Sequence, residues 1–345
     1  MEFLIGNEKE FFNFVNSINS KDKVVILTHT DLDGIASGVF LEKILASRKI
    51  KIEFIKFIQY SSGLLKKIFK EIQSKEITKL FILDFNADTE ENGLDDFELI
   101  RSSIDTFLID HHPSSPNLKN KRNILKTKST DCASLALYTI GKEYLKEKFY
   151  QELVCSAMIT DFSFKDQDNL NFINNIYPDF KENSLNSFIG KRADMLSLAL
   201  IYFKSKLIKP YRLIKKNKIN ELEKYSSEVQ TEIARIINEF ETKKEYYKEK
   251  DIYFYYFESK FGISSYVSTE LSIRYPTKTF IIASNRDKDL FSLSARNQSG
   301  DQDMAVLLRK GIKDLSNATA GGHFKASGGS ILKKDLNKFK ENLLK

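Results

Sequence analysis

The sequence predicts an α/β protein: a mostly parallel sheet with helices on both faces, then a helical connector, then a smaller α/β domain. Three observations carry that expectation. Short β-branched apolar runs alternate with segments of helical spacing as far as Asp110. A polar, lysine-rich, glycine-free stretch interrupts the alternation at 204–250. Strand-like runs then return from residue 251. Strands separated by single helices form βαβ units, and these build parallel sheets.

Taken in order, KVVILTH (23–29) reads as a buried strand and GIASGVFLEKILASRK (34–49) as the helix after it. IEFIKFI (52–58) is a second strand and LLKKIFKEIQ (64–73) a second helix. KLFILDF (79–85) and TFLID (106–110) are the third and fourth strands, with a short acidic helical region between them. From about 132 to 200 the pattern is largely helical. The stretch 204–250 is expected to be helical, with Pro210 as a break. IYFYYFE (252–258), TFIIASN (279–285) and LFSLSAR (290–296) read as strands, and MAVLLRKGI (304–312) as a helix. A glycine-rich turn, a short strand and a helix close the chain. The expected domains are 1–200, a basic helical connector 201–250, and 251–345. No internal repeat is present.

With 345 residues, 41% hydrophobic and 29% charged, the chain is long enough to bury one or two cores unaided. No run of about 20 apolar residues exists, so a membrane-spanning class is excluded. The start, MEFLIGNEKEFF, meets an acid at once and does not read as a secretory signal. Two cysteines, Cys132 and Cys155, are too few for a disulfide framework or a four-cysteine zinc site. Together these point to a cytoplasmic protein. The net charge of +7 favours polyanionic partners weakly. Lys204, Lys206, Lys209, Arg212, Lys215, Lys216 and Lys218 share an acid-free stretch. It reads equally as a solvated helix face or as a track for a phosphate backbone.

The chemistry should lie beyond the carboxyl ends of the parallel strands. Three of the chain's four histidines stand there beside aspartates. After VVILT come His29, Asp31, Asp33 and Gly34. After LFIL comes Asp84. After TFLI come Asp110, His111 and His112. Each motif alone has a plainer explanation: Asp33 as a helix N-cap, the paired histidines as a turn. Asp88 reads as such a cap or as solvated, outside the site. Jointly, carboxylates so crowded repel one another unless a cation neutralises them. Carboxylate and imidazole without thiolate suit manganese or magnesium, with zinc or cobalt also open. The donors are too many for one tetrahedral ion. Two ions about 3.5–4 Å apart, bridged by an aspartate, would use them all and would clamp a phosphate under in-line attack. Asp161, ending the apolar stretch ELVCSAMIT (152–160), is either a further ligand or a cap for the next segment.

These motifs resemble the DHH phosphoesterase superfamily with a C-terminal DHHA1 domain, and the likeness covers most of the chain. His29-Thr30-Asp31-Leu32-Asp33-Gly34 looks like the first motif, Asp84 the second, Asp110-His111-His112 the third and Asp161 the fourth. Gly321-Gly322-His323-Phe324-Lys325-Ala326-Ser327-Gly328-Gly329 is similar to the glycine-rich DHHA1 motif; four of the 14 glycines fall there. The resemblance implies two divalent ions, manganese by preference with magnesium or cobalt possible. His29, Asp31 and Asp84 would hold one, and Asp33, Asp84, His111 and Asp161 the other. His112 would face the substrate phosphate, with Asp110 orienting the histidines. Gly321, Gly322, His323, Gly328, Gly329 and Arg296 would hold substrate in the interdomain cleft.

The chain departs from the family at Ala320, where the first glycine belongs, and at Ser327. The fourth motif lacks the threonine-glycine of many oligoribonucleases. The His-x-Asp-x-Asp-Gly spacing is closer to the RecJ-like exonuclease branch, while the length fits two-domain oligonucleotide-degrading members. The implied activity is hydrolysis of single-stranded DNA or RNA, or of short oligonucleotides, to mononucleotides, 5′→3′. Two alternatives share the resemblance: a small-nucleotide phosphoesterase acting on 3′-phosphoadenosine 5′-phosphate or a cyclic dinucleotide, and a non-catalytic subunit of a replication complex. The latter typically lose ligands, and here every matched ligand position is filled. A protein partner or homodimer is left open, and no membrane is involved.

Overall fold

The computed structural model describes all residues except 61–62, 88–93, 114–117, 119–120, 182–185, 286–287 and 345, so Asp88 lies outside the described residues. The chain divides into two units, Met1–Ser226 and Ser227–Lys345. The division falls inside the stretch expected to be a connector.

The first unit contains β1 (Phe3–Ile5), α1 (Glu8–Asn16), β2 (Val24–His29), α2 (Leu32–Ser47), β3 (Ile52–Ile58), α3 (Leu64–Ser74), β4 (Lys79–Leu83), α4 (Leu94–Ser103), β5 (Asp105–Asp110) and β6 (Ile124–Thr127). Helices follow: α5 (Ala133–Ile140), α6 (Lys148–Thr160), α7 (Gln167–Ile176), α8 (Phe188–Phe203) and α9 (Ile208–Lys215). The strands form one sheet in the order β1-β6-β5-β4-β2-β3. All neighbours are parallel except β1, which runs antiparallel to β6. The chain lays β3 on one side of β2 and β4 on the other. The β2/β4 boundary is therefore the point where strand order reverses and a ligand crevice opens.

Helices cover both faces, as the continuous apolar strands require. In β2, Val24 and Ile26 enter the core with Phe40, Leu153 and Met158. Val25 and Leu27 enter the opposite core with Ile68, Ile72, Phe97 and Ile100. A strand buried on both sides has no polar face, which is why its sequence shows a run and not an alternation.

Two local expectations are corrected. Pro210 does not break the helical stretch: it is the third residue of α9, in the first turn, where no intrahelical N–H bond is lost. The strand expected over 79–85 stops at Leu83, because Asp84 takes a left-handed backbone with φ 50°. Along the basic stretch, buried Tyr211 donates to Glu42 (2.6 Å) and Lys215 pairs with the same carboxylate. Lys204, Lys206, Arg212 and Lys216 are exposed.

α10 (Glu223–Lys243) crosses the division. The second unit continues with β7 (Glu245–Tyr247), β8 (Ile252–Phe257), α11 (Ser264–Arg274), β9 (Thr279–Asn285), β10 (Leu290–Asn297), α12 (Met304–Gly311), β11 (Thr319–His323), β12 (Ala326–Leu332) and α13 (Leu336–Leu344). The sheet order is β11-β12-β10-β9-β8-β7, with β8 and β9 the parallel pair. Phe254, Ile281, Leu293, Leu308 and Phe339 fill its core. The glycine-rich segment, expected as a turn, is a hairpin: β11 pairs antiparallel with β12, and only Phe324 and Lys325 lie between them.

Candidate metal centre

The first motif is shaped by a tight return of the chain after β2. Thr28 Oγ1 donates to the Gly34 carbonyl (2.6 Å) across the loop. A Cβ at Gly34 would lie 2.4 Å from the His29 carbonyl oxygen, so only glycine permits this approach. Asp31, not Asp33, is the N-cap of α2: its Oδ1 accepts the Gly34 N–H (3.0 Å) and its Oδ2 lies 2.7 Å from His29 Nδ1. Asp33 is buried and turns to another helix. Its two oxygens accept the N–H groups of Ala133 (2.7 Å) and Ser134 (2.9 Å) at the start of α5. These are N–H groups that a helix start leaves without intrahelical partners, so α5 holds this side chain in place. Each carboxylate oxygen keeps a second lone pair for another partner.

Asp84 follows β4 in a left-handed backbone, which aspartate tolerates better than most residues. Its N–H donates to the Ile109 carbonyl (2.9 Å), tying it to β5. The side chain is buried. Its Oδ1 lies 3.4 Å from His111 Nε2 and 4.0 Å from His112 Nδ1, and its Oδ2 lies 3.7 Å from His29 Nδ1. Asp161, just past α6, brings Oδ2 to 3.3 Å from His111 Nε2.

Asp110 closes β5 and is also buried. Its Oδ1 lies 2.7 Å from His112 Nδ1, and its Oδ2 accepts from Lys126 Nζ at 2.6 Å. The parallel register sets Asp110 directly opposite Lys126 on β6. Lys126 also donates to the His112 carbonyl (3.2 Å). Sequence reasoning missed this lysine. Its signal was a single charge inside the apolar run ILKT, too short to read as a strand. It also missed Tyr60, which stacks on Phe85 (4.5 Å between centroids), accepts the Asn86 N–H, and stands 5.5 Å from the His29 ring.

The charges are arranged at a cost. Burial, then the charges of Asp31, Asp33, Asp161 and Asp110, raise the Asp84 carboxyl well above the ordinary range. Burial and Asp33 push Asp161 up to about 7. Burial works against ionised Asp110 too, yet the His112 hydrogen bond and Lys126 hold it well below the usual value. For His111, burial opposes the charged form, but Asp161 and Asp33 outweigh it and raise its pKa.

Such repulsion calls for a cation. Asp84 Oδ2, Asp161 Oδ2 and His111 Nδ1 are buried without a hydrogen-bond partner. Three sets of donor atoms each lie within 4.8 Å of one another: His29, Asp31 and Asp84; Asp33, His111 and Asp161; and Asp84, His111 and His112. The donors are carboxylates and imidazoles, which fit manganese or magnesium. Unpartnered buried oxygens and an all-carboxylate–imidazole set fit divalent metal ions, with Asp84 common to two of the three sets. The structure thus gathers all eight residues named from the three strand-end motifs and Asp161 into one place. The third set also makes His112 available as a ligand.

In the second unit, Ala326 of β12 is paired with Arg296 on one side and His323 on the other. Directly paired residues share a face, so Arg296 and His323 stand in one row, about 10 Å apart by two strand spacings. Gly329 is required by packing, since a Cβ there would lie 2.2 Å from the Thr319 carbonyl oxygen. Gly322 has φ 138°. Gly321 and Gly328 are different: a Cβ would meet nothing within 4 Å at the first, and only a 3.7 Å contact at the second. The space over both residues is open to a ligand. Cys132 and Cys155 are free and buried. No described helix is long and apolar enough to cross a membrane.

The model of the DHH family, N-terminal domain, matches residues 23–168, the span that carries every residue of the metal centre. No curated protein sequence matches the chain. Solved structures do match in fold. A RecJ exonuclease bound to manganese superposes with a TM-score of 0.72 at 13% identity, covering 99% of this chain and 94% of that one. RecJ from Thermus thermophilus in complex with Mn2+ gives 0.69 at 11% identity, covering 98% of this chain and 54% of that one. CDC45 from Entamoeba histolytica gives 0.58 at 12% identity, covering 98% of each.

Proposed function

We propose that this chain, a DHH-superfamily protein with a RecJ-like fold, is a metal-dependent phosphodiesterase. Its substrates are single-stranded nucleic acid or short oligonucleotides, released as mononucleotides in the 5′→3′ direction. The observation that carries this is the meeting of two imidazole–carboxylate sets, His29-Asp31-Asp84 and Asp33-His111-Asp161, at the switch point of a parallel sheet. Divalent ions bound by them, manganese first, would supply Lewis acidity at the phosphate oxygens and an activated water.

The chain's own groups do the rest. Asp84 adjoins donors of both sets and is the candidate bridge. The start of α5 fixes the Asp33 carboxyl group through two backbone hydrogen bonds. Asp110, itself held by Lys126, grips His112 by Nδ1 and leaves Nε2 for a phosphoryl oxygen. Arg296 and His323 offer donors for a second phosphate, the open space over Gly321 and Gly328 leaves room for it, and Gly322 and Gly329 shape the hairpin. The exposed cations Lys204, Lys206, Arg212 and Lys216 suit a phosphate backbone.

The test is degradation of end-labelled RNA and DNA oligomers with Mn2+, wild type against Asp84→Ala. Stepwise release of mononucleotides from the 5′ end by wild type alone is the expected result. Intact oligomers together with phosphate release from a small nucleotide would replace this reading with a small-nucleotide phosphoesterase.

A further inference from the structure

Phe162 follows Asp161 directly, and its backbone is left-handed, with φ 57° and ψ 21°. A bulky side chain is uncommon there, and such strain persists only where the surroundings enforce it. The ring is 44% exposed, so burial is not what it gains. The next two residues point inward. Ser163 donates to the Asp131 carbonyl (3.1 Å), and buried Phe164 packs edge-on against Phe180 at 5.7 Å. They pin the short turn Ser163–Lys165 and leave Phe162 and Lys165 on the outside. Lys165 is exposed, and its Nζ lies 4.7 Å from the centroid of the Phe162 ring.

We infer that Phe162 is a stacking platform for a nucleobase of the substrate, and that Lys165 stands ready for a neighbouring phosphate; this rests on the nucleic-acid reading above. The platform begins one residue, about 3.8 Å in Cα spacing, from a candidate metal ligand. A group whose phosphate lies at the metal centre carries its base within a side chain's reach. An exposed aromatic face paired with a cation suits a nucleotide, because bases stack on aromatic rings regardless of identity while the phosphates seek the charge. The platform therefore gives affinity without sequence preference. It also selects for a base, which inorganic pyrophosphate or a sugar phosphate lacks.

The chain has no tryptophan, so Phe162→Trp installs a unique fluorophore at this position. With Mn2+ present, a nucleoside 5′-monophosphate is expected to quench it and ribose 5-phosphate is not. Phe162→Ala should weaken oligomer binding roughly 10- to 100-fold, erase the preference for base-bearing over abasic termini, and leave the Mn2+-induced rise in Tm unchanged. Phe162→Tyr should restore the preference. Phe162→Gly relieves the backbone and should match Phe162→Ala in binding while folding at least as stably as wild type. If wild type cleaves oligomers yet treats base-bearing and abasic ends alike, the platform is refuted and the nuclease reading stands. If wild type cleaves no oligomer, that reading fails, and the tryptophan response to the monophosphate against ribose 5-phosphate still decides stacking.

Discussion

Replacing Asp84 by asparagine should make the metal-free protein more stable and the enzyme inactive. Asparagine keeps the shape and tolerates the left-handed backbone at this position. What it removes is charge. Asp31 and Asp84 bring oxygens within 4.8 Å of each other, a repulsion of roughly 3 kcal/mol between full charges at an effective dielectric constant near 20. Asp33, Asp161 and Asp110 add to it, and the histidines subtract. The folded pKa of Asp84 is raised, so its favourable contribution is complete below about pH 4 and is lost as pH rises toward the folded value, at up to about 1.4 kcal/mol per pH unit. An asparagine has no such loss. The variant should therefore show no gain near pH 4 in EDTA, and its gain should appear and grow above that pH. A buried amide without a partner takes back about 1 kcal/mol. Near pH 7 the net gain for Asp84→Asn should be about 1–3 kcal/mol. Mn2+ should then stabilise wild type strongly and the variant little. Urea denaturation across pH 4–8, with and without Mn2+, measures all of this. A variant less stable than wild type at every pH in EDTA, or equal metal stabilisation of both, would refute the account of Asp84 as a charge held for a cation.

Lys126→Met should cost roughly 3–5 kcal/mol by stranding Asp110 in the core, and adding Asp110→Asn should recover part of it in the same denaturation assay. Asp161 titrates near 7 in the metal-free fold, so Mn2+ binding should release more protons at pH 6 than at pH 8. Calorimetry in buffers of different ionisation enthalpy reads this, and Asp161→Asn should shrink the difference. Gly34→Ala pushes a methyl against the His29 carbonyl; it should cost about 1–3 kcal/mol and weaken the Mn2+-induced Tm shift, because the His29–Asp31 loop must move. His112→Ala should lower turnover roughly 100-fold with the Mn2+-induced Tm shift kept; an equal loss of the shift would make His112 a ligand instead.

Much of the first unit is legible along the chain. Val24–His29, Ile52–Ile58, Lys79–Leu83 and Asp105–Asp110 are apolar runs whose length and β-branching match buried parallel strands. Ligands of such sheets lie past the strand ends, which is why His29, Asp31, Asp33, Asp84, Asp110, His111 and His112 could be named from sequence. Asp161 needed the family resemblance, because a carboxylate at the end of a helix carries no periodic signal. The β11–β12 hairpin was hidden because glycines weaken every strand propensity. Its ladder is set by pairing with β10, a partner more than twenty residues upstream.

Periodicity and residue type were therefore enough for the parallel sheet, the placing of the donors at its carboxyl edge, and the class of metal those donors suit. The first two follow from local rules: a strand buried on two faces must be apolar throughout, and its chemistry must come after it. Only the tertiary structure decided that Asp33 is held by α5, that Asp110 is neutralised by Lys126 on the neighbouring strand, and that Phe162 is turned out beside Asp161. Electrostatic and packing partners are chosen by distance in space, and Asp33 and Ser134, 101 positions apart, met there without leaving a mark on either local pattern.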